Sequence, residues 1–160
     1  MRRETIRGLL RFTAAPLAGL AALAAVTHAT GPLALLNETP SLPRGLYLRT
    51  PEPIARGAIV AFAPPRPAQA TLAALGYPGD VWLLKRVAAR PGEAVTVAAL
   101  PRLRTDRRGA PLPQAPDTLT LSDGEMFVLG DTGAQSFDSR YFGPVRITDV
   151  LGAYRLVWSW

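Results

Sequence analysis

From residue 12 to residue 29 the chain carries no formal charge and is dominated by Ala, Leu, Val and Gly, whereas beyond residue 36 apolar residues come in short runs punctuated by Gly and Pro. The first pattern predicts a membrane-spanning helix. The apolar stretch resumes through Pro32-Leu33-Ala34-Leu35-Leu36, and the 25 residues counted from Phe12 to Leu36, at about 1.5 Å each, exceed the ~30 Å hydrocarbon core. Thr27-His28-Ala29 also fits the end of a cleavable signal peptide, but the stretch is long for a signal-peptide core, which favours a retained anchor. The second pattern predicts strands over 45–49, 58–63, 81–89, 94–99, 118–121, 126–129 and 151–158, and one short helix over 69–75. This spacing specifies a mainly β domain of short antiparallel or mixed strands, preceded by one N-terminal transmembrane helix. The division is a basic tip and anchor over 1–36 and a β domain over 37–160. Pro91-Gly92-Glu93 is a turn signal that puts the 81–89 run on the first strand of a hairpin.

Composition narrows the chemistry. The 160 residues, 48% of them hydrophobic, suit one globular domain with an appendage. No cysteine is present, which excludes disulfides, thiolate nucleophiles and cysteine-ligated metals, and the single histidine, His28, lies in the apolar segment. A Ser-His-Asp triad in the β domain is therefore excluded for this chain alone. Arg2, Arg3, Arg7 and Arg11 precede the apolar segment, so the N-terminus is expected in the cytoplasm and residues after 36 across the membrane. Arg102, Arg104, Arg107 and Arg108 cluster in a Pro- and Gly-containing stretch that reads as a solvated loop. With no basic stripe interleaved with aromatics, nucleic-acid binding has no support.

Seventeen of the eighteen basic residues are arginine; the lone lysine, Lys85, sits in Val81-Trp82-Leu83-Leu84-Lys85-Arg86-Val87-Ala88-Ala89. Strand alternation puts Lys85 on one face with Val81, Leu83, Val87 and Ala89, and Arg86 on the other, where it reaches water or a partner. A desolvated ammonium can lose its proton; a guanidinium cannot. Ser41 lies between Pro40 and Leu42-Pro43, which restricts its backbone. Each residue alone has an ordinary reading, Ser41 as a turn serine and Lys85 as a snorkelling structural side chain. Together they are a candidate nucleophile and general base that needs no histidine.

A third segment, an apolar strand entering Gly130-Asp131 and then Ser136-Phe137-Asp138-Ser139-Arg140, is dense in hydrogen-bonding groups. Ser41-Leu42-Pro43, Lys85-Arg86-Val87 with Pro91-Gly92, and Gly130-Asp131 with Ser136-x-Asp138-Ser139-Arg140 resemble, in order and spacing, the type I signal peptidases. The likeness covers nearly everything from residue 37 onward. The Ser-Leu-Pro-Arg-Gly-Leu-Tyr form is similar to the TraF-type peptidases of conjugative transfer systems. The resemblance implies a signal-peptidase-like β fold, Ser41 as acylating nucleophile and Lys85 as base. It further implies that Ser136 hydrogen-bonds and orients the lysine, that Thr39 helps to bind the oxyanion, and that Asp131, Asp138 and Arg140 support the loop. Thr132 departs from the usual asparagine.

The expected protein is a serine endopeptidase of the bacterial inner membrane, its catalytic domain periplasmic, that removes a leader from an exported, pilin-like precursor. Its expected partners are that precursor and membrane lipid, with no nucleic acid, and it needs no metal or organic cofactor. A general leader peptidase, or an inactive anchored β module that binds exported peptides, are the alternatives.

Overall fold

The computed structural model describes residues 31–160; the expected transmembrane helix, the basic tip and His28 lie outside the described residues. Among the described residues no helix is long and apolar enough to cross a membrane. The main sheet contains β1 (Ala34–Asn37), β2 (Gly45–Thr50), β3 (Ile59–Phe62), β4 (Leu83–Ala89), β7 (Glu125–Leu129), β8 (Val145–Arg146) and β9 (Val150–Ser159). Its order is β1-β2-β9-β3-β4-β7-β8, and every neighbouring pair is antiparallel. Two further strands, β5 (Ala94–Thr96) and β6 (Thr118–Thr120), form a separate antiparallel ribbon. The antiparallel-or-mixed expectation thus resolves to antiparallel. Register shifts at Leu46/Tyr47, Ala61/Phe62 and Val87/Ala89 mark bulges, which increase local twist and curl the sheet.

Both faces of the central strands are covered. On β3 and β4, Val60, Phe62, Leu83 and Val87 join one core with Met126, Val128 and Phe142, while Ala61 and Leu84 join another with Leu42, Tyr47 and Tyr154. Burial on both faces explains why these strands read as nearly continuous apolar runs rather than clean alternations. A third cluster of Ala89, Val97, Ala115, Leu121 and Phe127 seats the β5–β6 ribbon.

Four expectations change. The chain does turn at 91–93, but β4 forms no hairpin with β5: its edges are taken by β3 and by β7, and β5 pairs with β6 instead. Ala34–Asn37, whose first three residues read as the end of the apolar segment, form β1 against β2. The helix runs over Arg66–Ala74 (α1), starting earlier than expected because its one proline, Pro67, lies in the first turn, where the missing N–H breaks no helical bond. A one-turn helix, α2 (Ser139–Phe142), was legible only as a polar loop; Asp138 caps it by accepting the N–H of Arg140.

Candidate active site

The turn that carries Ser41 is closed by the last pair of the β1–β2 ladder, Asn37 opposite Gly45. Gly45 has φ +157°, and a Cβ there would lie 2.1 Å from the Trp158 carbonyl oxygen, so the close approach of β9 demands glycine. Leu42 is 1% exposed and packs with Tyr47, Ala61, Leu84 and Tyr154, which anchors the turn next to Ser41. The buried Tyr47 hydroxyl donates to the Pro43 carbonyl at 2.7 Å, and the Asp131 N–H donates to the Ser41 carbonyl at 2.7 Å. Two proline-restricted residues, an apolar anchor and these two bonds together hold the serine in one place.

Lys85 is 4% exposed. Opposite Val60 in the ladder, it is the polar member of a face otherwise made of Val60, Leu83 and Val87. Its Nζ donates to Ser41 Oγ at 2.8 Å, and Ser41 Oγ is 3.1 Å from Thr39 Oγ1. Burial is the largest influence on the amine and lowers its pKa from 10.5 to about 8; Asp138 raises it, Arg140 lowers it and Asp131 raises it. Desolvation wins because both acids are already engaged by arginines. Asp131 takes a two-pronged bond from Arg86, Nε to Oδ1 at 3.0 Å and NH2 to Oδ2 at 2.8 Å. Arg86, facing away from Lys85 as alternation requires, finds its partner there.

The loop after β7 is built around Asp138 and Arg140, both buried and paired through Nε–Oδ1 at 2.9 Å and NH2–Oδ2 at 2.7 Å. Asp138 Oδ2 also accepts the Gly130 N–H at 2.9 Å, and Arg140 NH1 donates to the Pro101 carbonyl at 2.8 Å. A buried pair whose remaining valences are satisfied this way is hard to break, since removing one partner strands the other charge at about 3–5 kcal/mol. The Gly130–Asp131 step is thereby fixed beside Ser41.

Ser136 is 1% exposed and lies against Gly130, where a Cβ would stand 2.1 Å from its Oγ. Among the described residues its hydroxyl has no hydrogen-bond partner. The implied bond from Ser136 to Lys85 is therefore not formed in this arrangement; Nζ donates to Ser41 instead. Of the arginine cluster, Arg102 is tied to Asp117 and to the Ala115 carbonyl, while Arg104, Arg107 and Arg108 are exposed, as a solvated loop requires.

The structure thus brings together Thr39, Ser41 and Lys85 by direct contacts, with Ser136, Asp131, Asp138 and Arg140 in the adjoining loop. Sequence reasoning missed Asn37 and Tyr47, which hold the turn from behind. A polar residue ending the apolar run Ala34-Leu35-Leu36 was the available signal for Asn37. Chemically, a buried amine 2.8 Å from a serine hydroxyl, its pKa lowered to about 8, is suited to accept that hydroxyl's proton.

The chain is similar to known proteins. The family model described as signal peptidase, peptidase S26, matches residues 7–160. A plasmid transfer protein TraF from Escherichia coli is 34% identical over 148 residues, covering 79% of this chain and 84% of the relative. A second Escherichia coli TraF is 34% identical over 167 aligned residues, covering 90% and 93%. The conjugal transfer protein TraF of Agrobacterium tumefaciens (strain 15955) is 33% identical over 148 residues, covering 78% and 81%.

Proposed function

This chain belongs to the peptidase S26 signal peptidase family and is of its TraF type, and on that premise we propose that it is a membrane-anchored serine endopeptidase that removes the leader of an exported, pilin-like precursor in a conjugative transfer system. The observation that carries this reading is the buried 2.8 Å contact between Lys85 Nζ and Ser41 Oγ. Neutral Nζ takes the proton from Ser41 Oγ as the oxygen attacks the scissile carbonyl. Thr39, whose hydroxyl oxygen is 3.1 Å from Ser41 Oγ, supplies a proton donor beside the oxygen that gains charge. Collapse of the tetrahedral intermediate breaks the C–N bond, and the Lys85 ammonium returns its proton to the leaving amine. A water deprotonated by the same amine then hydrolyses the acyl-enzyme.

Docking follows from the sheet. β1 ends the strand order and leads directly into the Ser41 turn, so a precursor segment added to that edge in extended form runs past the nucleophile. Strand pairing lines up Leu36, Leu46 and Trp158 across β1, β2 and β9. Leu36 and Trp158 are exposed, and the Trp158 and Trp160 rings lie 5.4 Å apart. Exposed tryptophans and leucines of this kind suit the membrane interface. With the apolar segment over 12–29 and its preceding arginines, they support a domain held at the periplasmic face of the inner membrane.

The test is mass spectrometry of a pilin-like precursor and an Ala-x-Ala secretory precursor after incubation with detergent-solubilised wild type and Ser41→Ala. Cleavage of the pilin-like precursor by wild type alone is expected. Equal cleavage of both precursors would favour a general leader peptidase, and cleavage that persists in Ser41→Ala would remove the serine from the chemistry.

Activity should also follow the state of the amine. The folded pKa of about 8 means that kcat/KM rises about tenfold per pH unit below that value and levels off above it. A flat profile from pH 6 to pH 9, with chemistry shown to be limiting, would rule out Lys85 as the base.

A further inference from the structure

Building on the reading of Ser41 as nucleophile, we propose that Asn37 is a positioning residue that acts on Ser41 through Thr39. Asn37 is 6% exposed, and its carboxamide spans the whole nucleophile turn. Oδ1 accepts the Thr39 hydroxyl at 2.8 Å and the Thr39 N–H at 3.3 Å. Nδ2 faces the carbonyls of Thr39 at 3.0 Å, Leu42 at 3.0 Å and Pro43 at 3.1 Å. Two amide protons are shared among three carbonyl oxygens, and only the nitrogen end can face such a trio without repulsion. Thr39 is consequently held at its N–H, its carbonyl and its hydroxyl by one side chain.

The direction of the hydroxyl follows. A threonine hydroxyl has one proton, and here it is donated to Asn37 Oδ1. Thr39 Oγ1 therefore turns a lone pair toward Ser41, 3.1 Å away. Ser41 donates to Thr39 and the Lys85 ammonium donates to Ser41, so donors run in one sense from Lys85 to Asn37. That is the resting order with the lysine protonated. Once Nζ loses its proton, the Ser41 hydrogen turns to it. The Thr39 proton can then leave Asn37 and swing toward the charge growing on Ser41 Oγ or on the substrate carbonyl. Asn37 fixes the pivot of that swing and holds the proton beforehand. A purely structural asparagine would stabilise the turn without regard to the Thr39 hydroxyl.

A double-mutant cycle separates the two roles. It uses Asn37→Ala, Thr39→Val and the double variant of the full chain in detergent, with whichever of the two precursors wild type cleaves, and melting temperature as the control for folding. Each single change should lower kcat by about 10- to 100-fold with KM within about twofold. The double variant should fall no more than about threefold below the worse single variant. Losses that multiply, or that appear in KM, would make Asn37 a structural residue and overturn the proposal; unchanged kcat in Asn37→Ala would do so as well. Should Asn37→Ala fail to fold, Asn37→Gln, which keeps an acceptor and amide donors but sets them one methylene further out, takes its place: a kcat loss that shrinks to within about threefold in the Thr39→Val background supports the proposal, and a loss of the same size with or without the Thr39 hydroxyl refutes it. A wild type that cleaves neither precursor removes the underlying reading of Ser41, a different result from an active wild type indifferent to Asn37.

Discussion

Exchange of Lys85 for methionine is expected to yield a folded protein whose cleavage rate is lower by on the order of 10³-fold or more, because the amine in contact with the Ser41 hydroxyl, which takes its proton, is gone. Methionine matches the length of the lysine stem and suits its neighbours Val60, Leu83 and Val87, so the fold gains an apolar contact and sheds a desolvation cost. Arginine looks like the more conservative exchange but is the harsher one: a guanidinium cannot neutralise, and at a site 4% exposed its charge stays buried. The same variant tests the lowered pKa. Lys85 titrates near 8 when folded and near its ordinary 10.5 when unfolded, so between those values the unfolded chain binds more protons and wild-type stability rises with pH. Below pH 8 the amine is charged in both states and its burial is a constant cost. Urea midpoints measured from pH 7 to pH 10.5 should therefore climb for wild type relative to Lys85→Met. Substantial cleavage by folded Lys85→Met would end the dyad reading; parallel midpoints in the two proteins would mean that burial does not depress the amine.

Gly130→Ala is expected to lose activity by about 100-fold or more and stability by about 1–3 kcal/mol. The reason is space rather than backbone freedom, since Gly130 is not among the glycines with positive φ. Its added Cβ would lie 2.1 Å from Ser136 Oγ, 2.6 Å from Ser136 Cβ and 2.8 Å from the Ser41 carbonyl oxygen. The hydroxyl can swing aside, but the carbonyl cannot, because it is bonded to the Asp131 N–H at 2.7 Å. The methyl therefore displaces the nucleophile segment from Lys85. Gly79, with open space around it and an ordinary φ, should accept alanine with little effect on either measurement. Adding Ser136→Gly to Gly130→Ala should recover stability more than activity, since it removes the side-chain clash and leaves the clash with Ser41. Cleavage and thermal melting of the variants decide this, and a fully active Gly130→Ala protein would show that the loop gives way without moving Ser41.

Several elements were legible because their cause is local. The runs over 45–49 and 118–121 became β2 and β6 with ends shifted by little, since β-branched and apolar residues between Gly and Pro breakers specify extended backbone without reference to distant chain. The burial of Lys85 and the outward turn of Arg86 followed from alternation alone. Pairing was a different matter. Pro91-Gly92 makes the turn that a hairpin needs, yet β7 occupies the β4 edge from Arg86 to Ala89, and β5 must find β6. The Asp131 partner was hidden for the same reason, as Arg86 lies 45 residues away along the chain.

The sequence by itself determined which residues could do chemistry: a chain with no cysteine, one histidine in its apolar segment and one lysine leaves little choice of base, and backbone periodicity decided which way that lysine faced. Only the tertiary structure decided that Lys85 meets Ser41 across 44 residues of chain, that Asn37 grips the turn through Thr39, Leu42 and Pro43, and that Ser136 packs against Gly130 with its hydroxyl unpaired among the described residues. Side-chain type and strand alternation act over one or two residues, whereas contacts of a few ångströms between remote segments depend on strand order, bulges and packing on both faces of the sheet, which no local pattern encodes.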